Sequence, residues 1–131
     1  MTFKNRKHAE RFFITVDDQK LMESNEPELM ASVYLLTCYK RVWKHFENAL
    51  NKKNGIKPEV FENFVPQNAS EQAIVTAAYD LYFFGDCINL TDLTDRDMVP
   101  DSAFLAICNA IGYLRYGFKS TTNISAVTNY D

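Results

Sequence analysis

Residues 27–50 read PELMASVYLLTCYKRVWKHFENAL, and this stretch decides the fold. Leu29, Val33, Leu36, Tyr39, Val42, Trp43, Phe46 and Leu50 recur mostly at steps of three and four, the spacing of one apolar face on an α-helix. Pro27 is tolerated in a first turn, where its missing N–H is not needed, and Ser24 or Asn25 can cap the start. The period continues to about Lys53, and Gly55 is placed to end it. The run is long for a globular helix, so a break between Thr37 and Lys40, giving two adjacent helices, fits equally well.

Working outward, the same period appears on both sides. From about Asn5 to Gln19, Ala9, Phe12, Phe13 and Val16 share one face while Lys4, Arg6, Lys7, Glu10 and Arg11 can meet water. Pro58 opens a short helix from Glu59 to Phe64, closed by Pro66. Ser70 is a good N-cap for the next, whose apolar face is Ile74, Ala77, Ala78 and Leu81, and Gly85 stops it after Phe84. Residues 86–99 are polar and acidic, with room for one helical turn around Leu90–Asp95. Pro100 opens the last helix, with Phe104, Ile107, Ile111 and Leu114 as its stripe and Gly117 at its end. The predicted architecture is all-α: a single-domain bundle of five to six helices over residues 1–118, then a polar tail, residues 119–131.

Composition agrees. A chain of 131 residues is the size of one domain and can bury its own core. Four Gly and four Pro argue against a loop-rich or all-β fold, and ten Phe with seven Tyr imply a core or interface built on rings. The net charge of −3 speaks against a dedicated nucleic-acid binder. Cys38, Cys87 and Cys108 lie far apart, with no CxxC pair, and read as free, buried thiols rather than a disulfide or zinc framework. No segment has the length of a signal peptide or membrane span, so the chain is expected in the cytoplasm (a host cytoplasm if phage-encoded). Three Asn-x-Ser/Thr triplets, at Asn68, Asn89 and Asn123, then carry no meaning.

Candidate chemistry is sparse. The acidic run Asp86, Asp92, Asp95, Asp97 and Asp101 lacks the central Gly and final Glu of a calcium loop and reads as a solvated, helix-capping loop. His8 and His45 lie in different helices, without a nucleophile elbow or orienting carboxylate. Lys40, Arg41, Lys44, Lys52 and Lys53, with Lys4, Arg6, Lys7 and Arg11, could form a basic face for phosphates if their helices pack together. Of the tyrosines, Tyr79 with Tyr82 and Tyr113 with Tyr116 share helix edges suited to a partner surface. No Gly-rich phosphate loop is present. No catalytic residue, metal or cofactor is assigned.

The segments His8-Ala9-Glu10-Arg11-Phe12, Ala31-Ser32-Val33-Tyr34-Leu35-Leu36, Trp43, Ser70-Glu71, Asp80-Leu81-Tyr82, Leu90 to Leu93, Phe104, Asn109-Ala110-Ile111 and Arg115 together form a pattern. It resembles a family of short uncharacterised proteins, a domain of unknown function, of Gram-positive bacteria and their prophages and mobile elements. The resemblance runs to about Arg115, implies a small helical protein, and brings no activity. The expected function is a non-catalytic protein-interaction module. In the phage setting one form is an inhibitor of a bacterial defence system, anti-CRISPR-like, with acidic side chains standing in for phosphates. Its partner-binding residues would be Asp86, Asp92, Asp95, Asp97, Tyr79, Tyr82, Tyr113 and Tyr116. The alternatives are a nucleic-acid-binding regulator and an enzyme of unrecognised type. A homodimer is also open, because exposed apolar faces need covering.

Overall fold

The helix from Pro27 to Leu36 is buried along every residue from Leu29 onward, with Ser32 as deeply placed as its apolar neighbours. A helix apolar on all sides has to sit inside a ring of others. The computed structural model describes residues 1–51 and 53–118, and its elements supply that ring. In order they are α1 (Arg6–Gln19), a 3-10 turn (Leu21–Glu23), α2 (Pro27–Leu36), α3 (Lys40–Phe46), α4 (Pro58–Glu62), α5 (Ala69–Phe83), α6 (Leu90–Leu93) and α7 (Asp101–Tyr116). α5 and α7 pack against α2 and against each other, while α1 and α3 contact α2 from other sides. The described residues thus hold seven α-helices where five or six were expected. The extra element comes from splitting the long second run.

That run breaks between Thr37 and Tyr39, the proposed place. Thr37 turns its hydroxyl back onto the Val33 and Tyr34 carbonyls at 2.8 and 3.0 Å, which ends α2. The far end differs from expectation. α3 stops at Phe46, well before Lys53, because Leu50 and Ile56 both enter the core and a continuing helix cannot deliver both. The chain reverses instead through a tight turn: Asn51 and Gly55 exchange backbone hydrogen bonds, and the Asn51 side chain accepts the Lys53 and Asn54 N–H groups. Gly55 has φ +69 and its α-carbon faces the Tyr82 hydroxyl, so any other residue there would be strained and would displace that ring. Asn68, rather than Ser70, caps α5, accepting the Glu71 N–H at 2.9 Å.

The C-terminal end of α2 is buried, so its last carbonyls cannot turn to water. α1 supplies their partners from one face. His8 donates from Nε2 to the Tyr34 carbonyl at 2.7 Å, and its Nδ1 accepts the Lys4 N–H at 3.0 Å, which defines the neutral tautomer. One turn on, Arg11 donates to the Thr37 and Cys38 carbonyls at 2.7 and 3.0 Å. The same corner holds the start of the chain. Phe3 packs among His8, Phe12, Phe13 and Tyr34, and the Tyr34 hydroxyl donates to the Thr2 carbonyl at 2.6 Å.

Burial, helped by the nearby Arg11 and Lys4 charges, pushes the His8 pKa from 6.5 down to about 3. The unfolded chain therefore takes up a proton below pH 6.5 that the folded chain refuses until about pH 3. Stability from this group is complete above pH 6.5 and declines on acidification, by at most about 1.4 kcal/mol per pH unit. Urea unfolding of wild type and His8→Gln across the mildly acidic range should show a shallower slope in the variant. Identical slopes would mean that His8 is not the group responsible.

Candidate functional site

The region joining α5 to α7 is built around Asp80. Its carboxylate accepts the Cys87 and Ile88 N–H groups at 3.1 and 2.8 Å, and its carbonyl accepts the Gly85 N–H. These bonds fold the chain back at the end of α5. Asn89 and Asp92 then form a reciprocal capping box on α6, and Asp95 accepts the Asp97 N–H at 2.9 Å. Ile88, Leu93 and Val99 point inward. Phe84 and Leu90, each 82% exposed, and Met98 point outward.

α5 ends, as α1 does at Lys20, on a residue in the left-handed region; here that residue is the bulky Phe84. It sits at φ 56, ψ 41 in the left-handed region, one residue before the glycine that sequence reasoning chose as the stop. A bulky residue there costs on the order of 1 kcal/mol and is normally replaced by Gly or Asn. Sequence analysis missed Phe84 and Leu90. The only signal was the Phe-Gly order at the helix end, which looks unremarkable without the backbone angles.

Residues 86–101 contain five aspartates against one arginine, a net of −4, more than the −3 of the whole chain. The negative excess of the protein is therefore concentrated on this segment. Asp86 and Asp97 are exposed, whereas Asp92 and Asp95 also hold backbone N–H groups. Next to the segment, a groove of about 440 Å³ runs between α4 and α5, lined by Phe61, Phe64, Val75, Tyr79 and Cys87 with Glu62 on its rim. Cys87 belongs to both features. Among the described residues, no group of three or more His, Cys, Asp or Glu side chains is placed to hold a metal ion.

The tyrosines separate. Tyr79 is half-buried against Phe61 and Phe83 and lines the groove. Tyr82 is half-buried beside the Gly55 turn. Tyr116 is exposed and pairs with Arg115. Tyr113 is 3% exposed and stacks edge-on against Tyr34, so it belongs to the core and cannot meet a partner. The thiols need a similar correction: Cys38 is buried, but Cys87 and Cys108 are exposed.

The basic face is also partly dismantled. Arg41 pairs with Glu71 at 2.6 Å, donates to the Val65 carbonyl at 2.9 Å and lies over the Phe64 ring. Glu71 is buried and also accepts the Gln67 N–H, so this pair ties α3 to the entry of α5. Arg11 is committed to the end of α2. Lys40 and Lys44 remain, on a groove of about 480 Å³ between α1 and α3 that Trp43 and Ile14 also line, along with Asp18 and Glu47. Lys53 lies in the turn after α3, and Lys52 is outside the described residues. His45 bonds the Val60 carbonyl at 2.9 Å. His8 approaches Cys38 Sγ at 3.5 Å, but burial pushes the histidine down and the thiol up, which keeps both neutral and unsuited to an ion-pair nucleophile.

These placements distinguish the basic residues experimentally. Arg41→Met should cost about 2 kcal/mol, because it strands a buried carboxylate, the figure being discounted for the partly exposed guanidinium. Lys40→Ala and Lys44→Ala should each stay within about 0.5 kcal/mol of wild type. Equal losses for all three in chemical denaturation would contradict the assignment.

No curated protein and no solved structure matches the chain. A family model does, from residue 1 to residue 125, reaching past Arg115 into the polar segment that the sequence pattern left out. The chain belongs to this family, described as a family of unknown function (DUF6075).

Proposed function

We propose that this protein is a non-catalytic binding module that captures a basic segment of a partner protein on the surface formed by residues 84–98 and the adjoining α4–α5 groove. The observation that carries the reading is Phe84: a large apolar ring, 82% exposed, held outward in a left-handed conformation at a position where glycine would be unstrained. Strain of this kind is retained where a site uses it. An exposed ring and Leu90 within a segment, residues 84–98, of net charge −3 suit a partner with apolar anchors among Lys and Arg. In the finer version, the protein comes from a phage or mobile element of Gram-positive bacteria and the partner is the basic channel of a defence complex. Asp86, Asp92, Asp95 and Asp97 would there take the place of nucleic-acid phosphates. Residence in the cytoplasm accords with this version; among the described residues no helix is long and apolar enough to cross a membrane.

Two variants separate binding from stability. Phe84→Gly removes the strain and should stabilise the fold by up to about 1 kcal/mol while weakening capture. Asp86→Asn, Asp92→Asn, Asp95→Asn and Asp97→Asn combined remove charge but keep caps that asparagine can also make. Tagged wild type and both variants would be used for affinity capture from nuclease-treated bacterial lysate, read by mass spectrometry. A stoichiometric protein retained by wild type and lost by both variants supports the reading. Equal recovery by all three sinks it. Capture that collapses on nuclease treatment moves the assignment to a nucleic-acid regulator acting through Lys40, Lys44 and Lys53.

A further inference from the structure

α7 turns Ala103, Ala106, Ile107, Ala110 and Tyr113 into the core; of the stripe expected from the sequence, Phe104, Ile107, Ile111 and Leu114, only Ile107 is buried, because the small alanines let this helix approach its neighbours closely. Its opposite face carries Asp101, Phe104, Leu105, Cys108, Ile111, Gly112 and Arg115, all exposed or half-buried, with Ile111 44% exposed. These positions follow steps of three and four, the seam spacing of paired helices. Between its two ends the seam has no charge. At the ends stand opposite charges, Asp101 and Arg115, about 21 Å apart along the axis.

The seam is self-complementary about Cys108. Reversing a second copy of α7 over the first, with the two Cys108 residues opposed, sets Asp101 against Arg115 of the other copy and Arg115 against its Asp101. It also sets Phe104 over Gly112 and Leu105 over Ile111. Each large ring meets the position with no side chain, and each charge meets its opposite. A parallel pairing would instead oppose like charges at both ends. The present partners of the two charges are exposed: Arg96 for Asp101 at 3.3 Å, and the Tyr116 ring for Arg115 at 5.4 Å. Such contacts exchange at little cost.

We propose that the protein forms a two-fold symmetric homodimer through antiparallel packing of α7 on its copy, centred on Cys108. The proposal does not depend on the partner surface at residues 84–98. If both hold, the dimer displays two copies of that surface and gains avidity for a partner with repeated sites.

Sedimentation velocity over about a hundredfold concentration range should show a monomer–dimer equilibrium. Asp101→Arg alone and Arg115→Asp alone should each shift it to monomer, and the double charge swap should restore the dimer. Circular dichroism on each variant, together with Ile111→Glu as a second disrupting change, separates loss of the interface from loss of the fold. In a Cys87→Ser background, a short bismaleimide should link two chains through Cys108. A wild-type monomer at every concentration overturns the proposal, as would follow if another segment of the same chain covers this face. A dimer indifferent to both single swaps, or one that gives no Cys108 link, overturns the antiparallel arrangement.

Discussion

The buried C-terminal end of α2 is the constraint on which the rest of this structure depends. A helix enclosed on all sides gains apolar burial along its whole length, but its last carbonyls must then find partners inside the protein. Here they are Thr37 from the helix itself and His8 and Arg11 from α1. His8 and Arg11 are three apart, so one face of α1 presents both groups to the same corner. Fixing α1 in this way also fixes Phe3 and the start of the chain against Tyr34 and Tyr113. The order of packing runs from a backbone requirement to the placement of a helix and then to the placement of a terminus.

This use of polar groups bears on the functional reading. Residues that look like chemistry in a sequence are largely occupied with architecture. His8 is neutral and enclosed, Arg11 and Arg41 hold carbonyls and a carboxylate, and Asp80, Asp92 and Asp95 gather backbone N–H groups around a reversal of the chain. The surface that remains is of another kind: an outward ring at Phe84, an outward Leu90, concentrated negative charge, and an apolar seam on α7. Those are the properties that the proposed binding role would use, in which area, charge sign and shape matter more than an activated atom.

The His8–Cys38 approach illustrates the distinction. A histidine 3.5 Å from a thiol resembles a catalytic pair by distance alone. A nucleophile needs a thiolate, and a thiolate needs solvent or a stable positive charge beside it. Burial opposes both ionised forms, so this pair is packing, with the imidazole committed to the Tyr34 carbonyl.

The sequence by itself determined the helical class, the turn at Leu90–Leu93 and the span of α7, and offered the break after Leu36 as one of two readings. All of these follow from local periodicity, Pro and Asn or Asp caps, which act within a few residues. Even the family pattern, with His8 and Arg11 in one segment and Ser70-Glu71 in another, held the polar residues that tie the helices together, though nothing local showed what they bond. Only the tertiary structure decided that α3 ends at Phe46, since the demand to bury both Leu50 and Ile56 comes from the assembled core. It alone showed Tyr113 inside and Cys87 and Cys108 outside, because a helix edge or a connecting segment can face either neighbour or solvent. It alone placed Phe84 in the left-handed region, where the bonds around Asp80 outweigh the local preference for glycine. Burial and backbone strain belong to the packed whole, and no window along the chain contains them.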